Sequence, residues 1–306
     1  MEQTAYIALG SNLGNKADHL TSAIHLLEAE VGVLLACSRY YETAPVGFVS
    51  DHNFLNAVAA FRTTLTPQEL LTRTQDIEKR LGRLTKSQGL HFADRPIDLD
   101  LLLLGSCCLN TDRLVLPHPR LHRRLFVLEP LQEIAPDLVH PVFGLSVSQL
   151  LDRCRDGGTP VLRELTQCAP VEAADLAALR EQLQGRPCPD CTAQVSELLA
   201  SSCAHLYALQ RPQGAIVGTA TLSFTPLLTG RKAWIDDVVV DESLRGQGWG
   251  RRLVEHLLGE ARRLGADAVQ LTSRPEREAA NRLYRRVGFS PRQTNVYQFK
   301  TSEPNT

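Results

Sequence analysis

Residues 95–104 read Arg95-Pro-Ile-Asp-Leu-Asp-Leu-Leu-Leu-Leu104, and no other stretch of the chain limits its fold so tightly. As a strand, this run sends alternate side chains to opposite faces. Asp98 and Asp100 then share one face, while Ile97, Leu99, Leu101 and Leu103 share the other and anchor it in a core. Two carboxylates two residues apart repel each other unless a cation lies between them. Mg²⁺ suits that place, because it takes one or two carboxylates and completes its shell with substrate phosphates. Arg95 stands where a guanidinium grips a phosphate oxygen. A bare Asp-x-Asp reads as a solvated edge; Arg95 and the residues downstream favour the functional reading.

The chain has 306 residues, enough for two domains, and 43% hydrophobic content, enough for ordinary cores. The breaker cluster Asp156-Gly-Gly-Thr-Pro160 predicts a seam, with domains at 1–157 and 158–306. A net charge of −1 gives no field for nucleic acid or a membrane surface. No apolar run approaches the roughly 20 residues that span a bilayer. The amino terminus carries neither a basic region nor a cleavable signal, so a cytoplasmic enzyme is expected. Of eight cysteines, only Cys188-Pro-Asp-Cys191 has metal-like spacing. It lacks the second pair of a zinc ribbon, so inert thiols are the favoured reading.

Residues 5–9 read as a buried strand that ends at Gly10-Ser-Asn-Leu-Gly14. Leu20, Ile24, Leu27 and Val31 keep helical spacing. Residues 54–65 read as a strand. Thr66-Pro-Gln-Glu69 is a capping box with proline at the first helical position, and the helix stops at Gly82. This order lacks the βαβ repeat of a doubly wound sheet and predicts an α/β sandwich on a mainly antiparallel sheet. Beyond the seam, strands are expected at 161–167, 205–210, 216–224, 234–240 and 269–272. Helices are expected at 173–183, 193–202, 249–264 and 276–287, with a last hairpin opening at Gly288-Phe289.

The first half gathers further polar and aromatic punctuation: Thr43-Ala-Pro-Val-Gly47, Phe54-Leu-Asn56, Gln75 and Glu78 on one helix face, Gly82-Arg83, Leu116-Pro-His118-Pro and Arg120-Leu-His-Arg-Arg124. With Phe92-Ala-Asp-Arg95-Pro-Ile-Asp98-Leu-Asp100, these resemble the 6-hydroxymethyl-7,8-dihydropterin pyrophosphokinase family of folate biosynthesis, over residues 6–151. The resemblance implies an α+β, ferredoxin-like sandwich and diphosphoryl transfer from ATP to the pterin hydroxymethyl oxygen, leaving AMP. It implies that Asp98 and Asp100 hold two Mg²⁺ ions, and that Arg95 and His118 contact the triphosphate. Arg124, in a mobile loop, closes over the phosphates. It assigns Gln75, Glu78, Arg83 and Arg113 to the nucleotide, and Thr43, Pro45, Val46, Phe54, Asn56 and Phe126 to the pterin. Asp94 stands where proline is usual, Phe92 where tryptophan is frequent, and Thr85 where some members have a second arginine.

The second half offers Arg245-Gly-Gln-Gly-Trp-Gly250 directly before a helix. Glycines turn backbone amides inward and a helix start adds partial positive charge, which makes a pyrophosphate cradle. The run 235–250, followed by Arg274-Pro-Glu-Arg-Glu-Ala-Ala-Asn281-Arg-Leu-Tyr284, resembles the GCN5-related N-acetyltransferase (GNAT) superfamily over residues 160–300. The resemblance implies a mixed α/β sheet and acetyl transfer from acetyl-CoA to an amine. Val238, Val239 and Val240 would pair with the pantetheine arm. Arg245, Gly246, Gln247, Gly248, Trp249 and Gly250 would cradle the pyrophosphate. Asn281 and Tyr284 share a helix face, with Tyr284 the acid that protonates the departing thiolate. Asp237, Glu242 and water remain open as the base.

The expectation is therefore a bifunctional transferase acting on small molecules. One alternative makes the second domain a coenzyme A sensor or assembly module; another makes the first a binding module without activity. The sequence leaves the acetyl acceptor open.

Overall fold

The computed structural model describes residues 2–45, 50–83, 93–155, 158–188, 190–293, 295 and 297. Val46, Thr85, Phe92 and Gly157, all singled out above, lie outside these residues, as does most of the expected last hairpin.

The first half runs β1 (Gln3–Ser11), α1 (Lys16–Glu30), β2 (Val33–Cys37), β3 (Tyr41–Thr43), β4 (Phe54–Thr63), α2 (Pro67–Arg80), β5 (Asp98–Leu104), a small hairpin of β6 (Leu109–Asn110) and β7 (Val115–Leu116), α3 (Leu125–Ile134) and α4 (Val147–Arg155). The main sheet has the order β2-β4-β1-β5, with β3 added to β4, and every described pairing in it is antiparallel. Alternation along the strands splits the core. Ile7, Leu9, Ala57, Ala59 and Phe61 meet Leu20, Leu27, Leu70 and Ile77 of α1 and α2 on one face. Val58 meets Leu128 and Leu131 of α3 and Leu150 and Leu151 of α4 on the other. Helix α2 starts on the expected box: Thr66 Oγ1 accepts from Glu69 N at 3.3 Å and Glu69 Oε2 accepts from Thr66 N at 2.8 Å, a cap worth about 1 kcal/mol.

One expectation about β5 needs correction. Ile97, Leu99 and Leu101 enter the α1/α2 core, but Leu103 joins the opposite core beside Val58. The register explains it: Tyr6 opposes Leu103 while Ile7 opposes Leu101, so Leu102 is an extra residue in β5. The bulge shifts the alternation by one, and Leu102, Leu103 and Leu104 are all buried. Asp98 and Asp100 lie before the bulge and keep a common face.

The second half runs β8 (Val161–Leu165), α5 (Pro170–Gln184), α6 (Thr192–Ala200), β9 (Ala204–Gln210), β10 (Ile216–Leu227), β11 (Gly230–Val240), α7 (Trp249–Arg263), β12 (Ala268–Gln270) and α8 (Glu278–Arg286). The sheet order is β12-β11-β10-β9-β8, antiparallel except for the parallel pair β11 and β12. Leu176, Leu179 and Val195 of α5 and α6 cover one face. Leu253, Val254, Leu257 and Ala261 of α7 cover the other, as the apolar stripe of residues 249–264 predicts. Val171, at the start of α5, packs into the core of the first half with Leu121 and Leu151.

Candidate functional site

Antiparallel register builds the first site. Gly10, near the end of β1, opposes Asn56 on one side and Asp98 on the other, and Ala8 opposes Asp100. Three neighbouring strands thus present an amide, a glycine and a carboxylate in a row. A Cβ on Gly10 would stand 3.1 Å from Asn56 Oδ1, so only glycine leaves the row uncrowded. The Leu116–Pro117 peptide is cis, and His118 N donates to Leu102 O at 2.8 Å, which brings the imidazole over β5.

These elements close a cleft of about 260 Å³ lined by Arg83, Arg95, Asp98, Asp100, His118, Pro119, Arg120 and Arg124. Asp98 binds Arg95 at 2.7 Å and also pairs with Arg83. Asp100 binds Arg124 at 3.2 Å, with His118 Nε2 3.9 Å away. Burial, and then the charges of Arg124 and Arg120, hold the His118 imidazole well below its usual range. Its Nδ1 accepts from Arg120 N at 3.1 Å, so the neutral ring carries its proton on Nε2, aimed into the cleft. Arg95 lies 5.2 Å over the Phe54 ring and Arg124 lies 5.5 Å over the Phe126 ring. Four guanidiniums against two carboxylates make a lining suited to a polyphosphate with bound metal. The carboxylates are hard oxygen donors, two in number and on one strand face, which fits Mg²⁺.

Several residues read from the sequence stand apart from the lining. Glu78 is buried: its Oε1 accepts from Leu99 N at 2.8 Å and pairs with Arg83, so it reaches the cleft through that arginine. Gln75 is half-buried on α2 and Arg113 is exposed between β6 and β7. Thr43 Oγ1 accepts from Asn56 Nδ2 at 2.8 Å, and Pro45 is half-buried beyond β3. Arg124 stands at the junction of a 3-10 turn (Leu121–Arg123) and α3 rather than in an unstructured loop, because Leu121 and His122 are buried beneath it. The Asp94 departure turns its carboxylate to Asn12, which donates to it at 2.6 Å, while Asn12 Oδ1 accepts from Arg95 N at 2.7 Å. Asn12 is the positioning residue that the sequence reading passed over; its only local signal was its place in the turn after β1.

The second site is made mostly of backbone. β11 pairs with β12 only at Lys232, Ala233 and Trp234, so Ile235 onward has no described partner on that side. Between the pairs Thr219–Val239 and Thr221–Asp236, β11 holds one residue more than β10, and Asp237 takes φ +53° in this bulge. Val238, Val239 and Val240 follow directly. Gly246 and Gly248 have φ +75° and +83°, and a Cβ on either would meet nothing within 4 Å. This open, left-handed backbone leads into α7, whose cap is Gly248: a cradle of the kind that binds phosphate oxygens. A Cβ on Gly250, in the first turn of α7, would stand 3.2 Å from Leu283 Cδ1 of α8.

Around the cradle, Arg245 pairs with exposed Glu242 at 3.4 Å, Gln247 Nε2 donates to Ser243 O at 3.1 Å, and Trp249 lies 4.6 Å under Arg252. Tyr284 packs edge-on to Phe289 at 6.1 Å. Burial pushes its phenol up, so it keeps its proton at neutral pH. Asn281 Nδ2 donates to Arg274 O at 2.9 Å and thereby fixes the loop before α8. All eight cysteines are free; burial, then Cys188 and Asp190, push the Cys191 thiol up to about 12.

The first site is a cleft of arginines around two carboxylates on an antiparallel sheet, and the second is a glycine cradle beside the end of β11. Residues 6–136 match the 7,8-dihydro-6-hydroxymethylpterin-pyrophosphokinase (HPPK) family, and residues 163–289 match the acetyltransferase (GNAT) family. The 2-amino-4-hydroxy-6-hydroxymethyldihydropteridine pyrophosphokinase of Porphyromonas gingivalis is 50% identical over 137 residues, covering 44% of this chain and 92% of that protein. The Bacillus subtilis protein of the same name is 44% identical over 135 residues, covering 44% of this chain and 79% of that one. A solved acetyltransferase of Trypanosoma brucei matches at 25% identity and a TM-score of 0.40, covering 46% of this chain and 99% of that one. The chain belongs to the HPPK family through its first half and carries a GNAT-family domain in its second.

Proposed function

We propose that the first half transfers the diphosphoryl group of ATP to the hydroxymethyl oxygen of 6-hydroxymethyl-7,8-dihydropterin. The observation that carries this reading is the Asp98/Asp100 pair facing Arg83, Arg95, Arg120 and Arg124 across one cleft. The hydroxymethyl oxygen forms a bond to the β-phosphorus, the bond from that phosphorus to the oxygen bridging the α-phosphate breaks, and AMP departs with that oxygen. The hydroxyl proton is released. Catalysis of this kind is mainly positioning and charge neutralisation. Mg²⁺ held by Asp98 and Asp100 supplies charge that neutralises the phosphate oxygens. The arginines bind the triphosphate, and His118 Nε2–H donates to a phosphate oxygen without adding a second charge. Asn56 and Thr43 read the pterin edge, with Phe54 and Phe126 offering faces to the ring.

For the second half, we propose acetyl transfer from acetyl-CoA to an amine. The cradle amides of residues 246–250 take the pyrophosphate, and the stretch of β11 beyond Trp234, which has no described partner on the β12 side, takes the pantetheine amides. Tyr284 gives its proton to the departing thiolate. The two activities divide at residues 157/158, in the cytosol. Among the described residues no helix is long and apolar enough to cross a membrane.

Product analysis with ATP, Mg²⁺ and the pterin tests the first reading: AMP, not ADP, appears together with pterin diphosphate. Thiol release from acetyl-CoA across a panel of amines tests the second. A coenzyme A complex that turns over no amine would leave the sensing alternative in its place.

A further inference from the structure

The two halves meet beside the first site, where ion pairs join the apolar contact of Val171 with Leu121 and Leu151. Residues 120–123 follow His118 at the mouth of the cleft, and three of the four engage carboxylates of the second half. Arg120, which lines the cleft, pairs with Glu181 near the end of α5. His122 Nε2 lies 3.6 Å from Asp175 Oδ1. Arg123 pairs with Asp241, the residue that follows β11. Asp175 and Asp241 are themselves fixed. Asp175 is 3% exposed, binds Arg153 of α4 at 2.8 Å and accepts from Ile216 N at 3.0 Å. Asp241 Oδ1 accepts from Ser243 N at 3.0 Å and from its hydroxyl at 2.7 Å. The neighbour of Glu181, Gln182, donates to Val240 O at 2.9 Å, which ties α5 to the end of β11.

A long arginine side chain at a cleft mouth samples many rotamers, and holding one of them for a phosphate costs conformational entropy. A carboxylate that already grips one edge of the guanidinium lowers that cost, leaving the remaining N–H groups to face the ligand. The Arg120 backbone N–H is also the partner that fixes the His118 tautomer, so this segment sets two of the groups that meet phosphate.

We propose that the second half completes the diphosphoryl-transfer site: Glu181 is a positioning residue that orients Arg120 toward the ATP phosphates, with Asp175 and Asp241 holding the adjoining segment in place. This rests on the pyrophosphokinase reading of the first half.

The test is steady-state AMP release by the full chain, with KM for ATP and kcat separated, for wild type, Glu181→Gln, Glu181→Asp, Arg120→Gln and the Arg120→Gln/Glu181→Gln double variant. Glutamine keeps the volume of Glu181 and removes its charge. The expected result is a rise of about tenfold in KM for ATP in Glu181→Gln, with kcat within about twofold and an unchanged melting midpoint. Glu181→Asp recovers part of the loss, and the double variant matches Arg120→Gln alone, because Glu181 acts through that arginine. An unchanged KM in Glu181→Gln, or losses that multiply in the double variant, would overturn the proposal. An inactive but folded wild type would instead overturn the pyrophosphokinase reading beneath it.

Discussion

On the proposed reading, the two candidate sites solve one problem, holding a polyphosphate, with opposite materials. The first uses side chains: arginines from four places in the chain converge on two carboxylates, each fixed by ion pairs and by partners such as Glu78 and Asn12. The second uses backbone: two glycines in left-handed conformation open amides at the start of α7, beside a bulged strand whose end has no described partner on the β12 side. A side-chain site gains selectivity from charge and geometry and is broken by neutral substitutions. A backbone site tolerates side-chain change and is broken by adding a Cβ. The contrast also explains why the first site names its substrate class while the second defines a cofactor and leaves the acceptor open.

The largest effect that separates the sites is expected at the carboxylates. Asp98→Ala or Asp100→Ala should lower AMP release by about 10³-fold or more, because two unshielded phosphate charges then face each other in the transition state. Coenzyme A binding, followed by calorimetry, should not change. Normal turnover by either variant would remove the metal assignment. Next comes Tyr284→Phe, which should slow thiol release by about 10²-fold while acetyl-CoA affinity holds; an unchanged rate would reduce Tyr284 to a packing residue on α8. Gly248→Val sharpens the comparison from the other side. Forcing a β-branched residue to φ +83° costs about 1–2 kcal/mol, so coenzyme A binding should weaken about tenfold while AMP release stays normal.

A last effect is a pH dependence confined to the first half. His140 is buried and stacked on Phe143 at 4.0 Å, and its Nδ1 accepts from Val142 N and Phe143 N, each at 3.3 Å. Burial, and then His122, lower its pKa to about 4. The folded value lies below the unfolded one, so the unfolded chain binds the extra proton first. The contribution is complete well above pH 6.5 and is lost as pH drops toward 4, by about 1.5 kcal/mol between pH 6.5 and 5. Melting curves of wild type and His140→Asn across that range check this; a wild-type slope equal to that of the variant would refute it.

Local chemistry was legible in the sequence wherever a short run of residues sufficed. Alternation placed Asp98 and Asp100 on one face, the Thr66 box marked the start of α2, and the glycines before α7 announced a phosphate cradle. What escaped depended on partners far along the chain. The Leu102 bulge appears only when β5 is laid against β1. Glu78, assigned to the nucleotide by the resemblance, shows its buried place only when Leu99 and Arg83 arrive beside it. The bond from the Asn281 amide to the Arg274 carbonyl, seven residues back, also lies beyond any local pattern. The edge strands β2 and β3 and the helices α3 and α4 carry no comparable local signal, because short segments without strong periodicity take their form from packing. Glu181 and Asp241 carried no signal, since their meaning comes from arginines more than 60 residues earlier.

The most direct measurement of the central claim is AMP release by one preparation of the full chain given ATP, Mg²⁺ and 6-hydroxymethyl-7,8-dihydropterin, with Asp100→Ala alongside. Stoichiometric AMP and pterin diphosphate from the wild type, and neither from the folded variant, is the predicted result. Folded wild type that releases no AMP, or a variant that matches it, would contradict the assignment of the Asp98/Asp100 cleft to diphosphoryl transfer.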